Sequence, residues 1–260
     1  DLAFYECKNF KTIYFTQDSK LNLIGNHAFA CSSIETITIP SSVTQIGDVS
    51  FYDCPNLKSI IFMENSNLIS IGKNAFHSSS IERITIPSSV THIEEKAFYN
   101  CKSLKSINFQ EDSKLCSIGE KAFLKTSIES ILIPSNVSYI GKCTFSECKS
   151  LKSFKLSENS KLESLNICIL CFSFIRYISI PASVNLINEG AFSSCENLNS
   201  AEFFSNILTI NQYSFEEDTK LFLVSFPNAT KITFFDKSFI GASENLYIFT
   251  LPNIEIVNET

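Results

Sequence analysis

Ten cysteines are the side chains of this sequence best equipped for chemistry, and their spacing limits what they can do. Cys7, Cys54, Cys101, Cys148 and Cys195 recur every 47 residues. An even cysteine count is one sign of a disulfide framework. A constant interval, however, places these five at one position of a repeated element, two elements apart. If elements stack like parallel strands, that separation is about 10 Å, beyond the roughly 7 Å between Cα atoms that a disulfide spans. The five are expected to be buried thiols acting as small hydrophobes. Cys143 and Cys168 differ. Each is third after the opening residue of its unit, in adjacent units, and so about 5 Å apart. A bridge between them is feasible in an oxidising compartment. Cys168-Ile-Leu-Cys171 has CxxC form, but structural zinc needs a second ligand pair, and none follows at a usual spacing. A redox CxxC opens a helix, whereas this one interrupts a repeat.

The remaining reactive types are scattered. His27, His77 and His92 occupy three different repeat positions, so neither a histidine cluster nor a nucleophile–base pair is expected. There is no phosphate loop or metalloprotease motif, and no cofactor is implied. Asp18, Glu64, Glu111, Asp112 and Glu158 fall in a recurring loop (TQDSK, MENSN, QEDSK, SENSK). Carboxylates about 10 Å apart do not share one calcium ion, so a solvated acidic edge is expected. Sequons stand at Asn136, Asn228 and Asn258 and suit a secreted chain.

The element that positions all of these is a repeat. IGKNAFHSSSIERITIPSSVTH, from Ile71 to His92, nearly overlays the segments from Ile24 and Ile118. A longer form, IEEKAFYNCKSLKSINFQEDSKLCS from Ile93, recurs from Ile46 and Ile140. Forms of 22 and 25 residues alternate and give the 47-residue period. Repetition at such a period means a solenoid, in which each unit buries its apolar face against its neighbours. The reading is one domain over residues 1–260 of about eleven units. The first is truncated, and the last, from Ile232, is irregular, with two extra residues before Leu246. The chain begins mid-repeat and without Met, which reads as a fragment. Its first unit should leave Phe10, Ile13 and Phe15 poorly covered, inviting self-association through the solenoid ends.

Within a unit, Ile81-Glu-Arg-Ile84-Thr-Ile86 alternates apolar and polar residues and is rich in β-branched types, so it reads as a strand. Pro87 ends it for lack of an N–H, as Pro40, Pro134 and Pro181 end its equivalents. The Gly-x-x-Ala-Phe segment is expected to form a helical or 3₁₀ turn that delivers a phenylalanine to the core. That position holds Phe4, Phe29, Phe51, Phe76, Phe98, Phe123, Phe145, Phe192 and Phe215, and the ladder breaks at Leu170. A stacked core ladder is favoured over an aromatic binding stripe.

These residues spell L-x-x-I-x-I-P-x-S-V-T-x-I-G-x-x-A-F-x-x-C. The sequence resembles the BspA-like leucine-rich repeat, closely over residues 1 to about 231 and poorly beyond. The resemblance implies a leucine-rich-repeat solenoid, a right-handed curved superhelix. Its parallel β-sheet would line the concave face, with short 3₁₀ or helical turns or short strands on the convex face. It also implies a cell-surface or secreted protein acting in adhesion to a host cell or matrix.

On the strand face turned from the core, the central units offer Arg83/Thr85, Ser106/Asn108, Ser130/Leu132, Ser153/Lys155 and Tyr177/Ser179. This is the expected ligand-binding face. A smooth, weakly charged sheet suits an extended protein or glycan better than a pocketed small molecule. The plainer reading is that small β-formers keep a sheet soluble, as in a structural spacer with no ligand. Net charge is −6 without a Lys/Arg cluster, which argues against nucleic acid. No apolar run approaches the roughly 18 residues of a membrane span.

Overall fold

The computed structural model describes residues 1–252 and 254–259. It comprises two compact units, Asp1–Ile128 and Glu129–Thr260, each built of successive β-coils. Among the described residues there is no helix. In the first unit, four-residue strands at Thr36–Ile39, Ser59–Phe62, Arg83–Ile86 and Ser106–Phe109 follow Thr12–Ile13 in a parallel sheet. Two-residue strands at Leu23–Ile24, Gln45–Ile46, Ser70–Ile71, His92–Ile93 and Ser117–Ile118 form a second parallel row. In the second unit, Ser130–Ile133 pairs with Ser153–Leu156, and Tyr177–Ile180, Ser200–Phe203, Leu223–Phe226 and Tyr247–Thr250 form a four-stranded parallel sheet.

The strands end where the prolines require. Ile39, Ile86, Ile133 and Ile180 are each the last residue before a proline. Each proline carbonyl then accepts the N–H of the valine three residues on, as Val90 does to Pro87 at 3.1 Å. Val90 and Ile93 are both buried in the core.

The turn carrying the phenylalanine is not helical, which corrects the sequence expectation. Two residues in each coil, four apart, have positive φ: His27 and Cys31, Asn74 and Ser78, Lys96 and Asn100, Cys143 and Glu147. A left-handed residue at every fourth position stops a right-handed helix from propagating. The N–H groups therefore divide their bonds. Ala28 and Ala30 donate back along the chain to Gly25 and His27, both at 3.2 Å. His27, Phe29 and Cys31 donate instead to Asp48, Ser50 and Tyr52 of the next coil, at 3.0, 2.8 and 2.8 Å. Bonds between coils thus offset the backbone strain of the left-handed residues.

The phenylalanines stack as expected. In the first unit Phe4, Phe29, Phe51, Phe76, Phe98 and Phe123 follow one another at 5.0, 5.1, 5.2, 5.1 and 5.2 Å between ring centroids. In the second, Leu170 is fully buried in place of a phenylalanine, while Phe172 and Phe174 turn outward rather than refill the core. The ladder resumes with Phe192 and Phe215 and continues to Phe239, 5.0 Å beyond Phe215. Phe239 escaped the sequence register because the last coil opens at Phe234, paired with Ile210, rather than at the expected Ile232; Phe239 is fifth after Phe234, as Phe215 is fifth after Ile210. At the start, Phe10, Ile13 and Phe15 are only half-buried.

Candidate binding face

The alternation of each long strand places the expected residues outward. In the first unit Arg83 aligns with Ser106 and Thr85 with Asn108, while Ile84 and Ile107 face inward. In the second, Ser130 aligns with Ser153 and Leu132 with Lys155, around inward Ile131 and Phe154. Tyr177 and Ser179 align with Ser200 and Glu202. The ten residues thus fall into three registered groups. Leu132 and Tyr177 are 57% and 49% exposed, large for side chains with no core to fill. Tyr177 is not loose: its hydroxyl donates to Glu202 Oε2 at 2.9 Å. Partial burial and the Glu202 carboxylate raise the phenol pKa, against the pull of Ser179. Glu202 was not among the expected binding residues, although its place two residues after Ser200 on an outward column makes it legible.

A second column was missed. One residue before each strand of the first sheet, Lys11, Glu35, Lys58, Glu82 and Lys105 alternate in sign up the first unit. Backbone bonds set them one coil apart, with Lys58 N–H donating to Glu35 and Glu82 N–H to Lys58 at 2.9 and 3.1 Å. Lys11 Nζ lies 3.0 Å from Glu35 Oε1. Such exposed pairs contribute about 0–1 kcal/mol each.

The model of the BspA type leucine-rich repeat region matches residues 1–71, 69–176 and 160–259. The chain belongs to the BspA-type leucine-rich repeat family. No curated protein matches it. Among solved structures it is similar to a leucine-rich repeat protein from Bacteroides ovatus, at 28% identity and TM-score 0.78, covering 99% of this chain and 65% of that one. The chain therefore spans about two thirds of that relative. The pneumococcal vaccine antigen PcpA is similar at 20% identity and TM-score 0.57, over 97% of this chain and 73% of its own.

In these BspA-type coils the 47-spaced cysteines have a fuller role than small hydrophobes. The position three after the ladder phenylalanine reads Cys7, Ser32, Cys54, Ser79, Cys101 and Thr126 in the first unit, and Cys148, Ser173, Cys195 and Asp218 in the second. Cys54, Cys101 and Cys195 thiols donate to the carbonyls of Phe29, Phe76 and Leu170, one coil back, at 3.1, 2.9 and 3.2 Å. Ser32, Ser79 and Ser173 hydroxyls lie 3.7, 3.4 and 3.4 Å from the sulfur of the following coil. A hydroxyl in every intervening coil also keeps the cysteines from meeting. Burial pushes the Cys54 thiol up to about 11 and the Cys101 thiol up to about 12. In native protein at pH 8 these two are expected to resist alkylation and to react once denaturant is added. A non-reducing peptide map should contain no Cys54–Cys101 link, and finding one would refute the stacking.

The other reactive groups sit apart. His27 and His92 are exposed on a turn and a short strand, and His77 is wedged edge-on between Tyr52 and Tyr99 at 4.7 and 4.6 Å. Burial, then Lys96, lowers the His77 pKa, and its Nδ1 has no partner. Among the described residues no three His, Cys, Asp or Glu side chains could hold a metal ion. Asp18, Glu64, Glu111, Asp112 and Glu158 are exposed. Their loop instead carries a turn-closing serine: Ser19, Ser66, Ser113 and Ser160 hydroxyls accept the N–H two residues on, at 3.2–3.4 Å. Asn136 is half-buried, with its Oδ1 accepting from Lys161 Nζ at 2.9 Å, whereas Asn228 is exposed. The sequon at Asn258 ends on Thr260, outside the described residues. No helix is long and apolar enough to cross a membrane, among the described residues.

Proposed function

We propose that this chain is a non-catalytic recognition region of a cell-surface or secreted protein, which binds a host-cell or matrix protein, or its glycan, through the outward faces that the long strands present in each of its two units. The observation that carries this reading is the composition of that face. Rows of Ser and Thr, which fit a sheet surface without filling it, are interrupted by Arg83, Leu132, Lys155 and Tyr177, which project outward. Arg and Tyr dominate binding energy at interfaces more often than their numbers warrant, and Tyr177 is already oriented by Glu202. Thr85, Ser106 and Asn108 would form the polar floor in the first unit, and Ser130, Ser153 and Ser179 that in the second. Membership of a leucine-rich-repeat family supports a scaffold for recognition rather than chemistry.

The test is adhesion to host cells and to immobilised matrix proteins and glycans. Arg83→Ala with Tyr177→Ala should weaken binding by about 30-fold or more, the equivalent of about 2 kcal/mol, without lowering the melting temperature. Normal adhesion by this variant, with adhesion lost on substituting Glu111 and Asp112, would move the binding surface to the acidic loops. Wild-type protein that binds nothing in the panel would favour a spacer.

A further inference from the structure

In the second unit three thiols gather on one turn. Cys143 and Cys168 occupy the same position in successive coils, both with positive φ, at 54° and 52°. The backbone fixes that register. Cys143 N–H donates to Ile167 O at 2.9 Å and Phe145 N–H to Ile169 O at 2.9 Å, so Cys168 lies directly across from Cys143. The sequence allowed a bridge here, but both residues are present as thiols, and their side chains are hydrogen-bonded to each other. The third thiol, Cys171, is buried, donates to Gly190 O at 2.8 Å and also shares a hydrogen bond with the Cys168 side chain. Cys143 and Cys168 are only partly covered. On the far side of Cys168 stands Gly190, where a Cβ would come 3.3 Å from the Cys168 sulfur. Glycine thus leaves that sulfur room to turn.

We propose that Cys143 and Cys168 form a reversible disulfide site that staples two successive coils of the second unit. Facing positions of adjacent parallel strands lie about 4.8 Å apart, inside the roughly 4.4–6.8 Å range of Cα separations that a disulfide accepts. The oxidant is a small-molecule disulfide. One cysteine, as thiolate, attacks a sulfur of that disulfide and expels one thiol, leaving a mixed disulfide on the protein. The second cysteine loses its proton, attacks the protein-bound sulfur and expels the second thiol. Two electrons pass to the small disulfide, and the two cysteine protons end on the two released thiols. The Cys143 hydrogen bond pulls the Cys168 pKa down, but the Cys171 hydrogen bond and burial leave it at about 11. Exchange should therefore be slow at pH 7 and quicken as pH rises. The bridge closes a 25-residue loop, which restricts the unfolded chain and so stabilises the folded one.

The reduced protein, incubated with oxidised glutathione at pH 8, alkylated and digested without reductant, should yield a Cys143–Cys168 peptide. Its melting temperature should exceed that of reduced protein by about 5 °C and return with dithiothreitol. Cys143→Ser and Cys168→Ser should each abolish both effects, and Cys171→Ser should keep both. A Cys168–Cys171 link, glutathione adducts without a link, or a rise surviving in C143S would overturn the proposal. If a serine variant does not fold, the wild-type peptide map alone decides.

Discussion

Replacing Phe98 by Ala is expected to destabilise the first unit by about 3–5 kcal/mol in chemical denaturation, the range for an emptied aromatic site in a core. Phe98 is fully buried, with Phe76 5.1 Å away on one face and Phe123 5.2 Å away on the other. In a globular core neighbours from several directions can shift to fill a void. Here the nearest aromatic neighbours of Phe98 stand one coil above and one below. Their positions are fixed by backbone bonds between the coils, such as Phe98 N–H to Ala122 O at 2.8 Å. Little collapse is available, so the cost should lie toward the upper end. Phe98→Leu should cost clearly less, because Leu170 shows that a coil tolerates leucine at this position. A loss below roughly 1 kcal/mol for F98A would mean that the stacking contributes little and that the strand ladders hold the coils together.

Much of this architecture was legible because each coil repeats the same solution. The alternation of Ile81 to Ile86, the strand-ending prolines and the nine ladder phenylalanines could each be checked against several copies of themselves. Three features were not legible, for separable reasons. The Phe turn carries no strong marker of its left-handed residues. Positive φ falls on His27, Val49, Lys96 and Cys143 as readily as on Asn74, because bonds between coils, rather than residue preference, hold it there. The hydroxyl half of the polar column was hidden because serine abounds in every segment, whereas cysteine stood out. Phe239 was missed because Ile232 resembles an opening residue, whereas the strand pairing starts the coil two residues later at Phe234. On the outward face, the alternation showed which side chains leave the core, but Tyr177 bonding to Glu202 depends on a register across two coils that no single segment contains.

Asp218 is the one charged residue in the polar column from Cys7 to Asp218, and removing it should strengthen the protein. From Cys7 to Cys195 the column holds thiols and hydroxyls, which can donate to a carbonyl one coil back; Ala242, after Phe239, ends it. Asp218 accepts the Cys195 N–H through Oδ1 at 2.7 Å, but its Oδ2 is buried without a partner. Burial raises the carboxyl pKa well above its ordinary value, and the Cys195 N–H only partly opposes this. The titratable thiol beside it, Cys195, is raised in turn, by burial first and then by the Asp218 charge. The sign follows from linkage. The folded state binds the Asp218 proton more tightly than the unfolded chain, whose carboxyl titrates near 3.9. The contribution of Asp218 to stability is therefore complete below about pH 4 and is lost as pH rises through the raised folded value. At neutral pH the residue is a liability, either as a buried charge or as an acid held protonated at a cost. Asp218→Ser restores the residue used by the column at Ser173 and should raise stability at pH 7 by about 1–3 kcal/mol, the range for relieving a buried unsatisfied polar atom. Denaturation midpoints of both proteins between pH 4 and pH 8 provide the measurement, and the advantage of the variant should shrink toward pH 4. A variant no more stable than wild type at pH 7, with a difference that does not vary with pH, would mean that Oδ2 finds a partner in solution and that Asp218 is a settled member of the column.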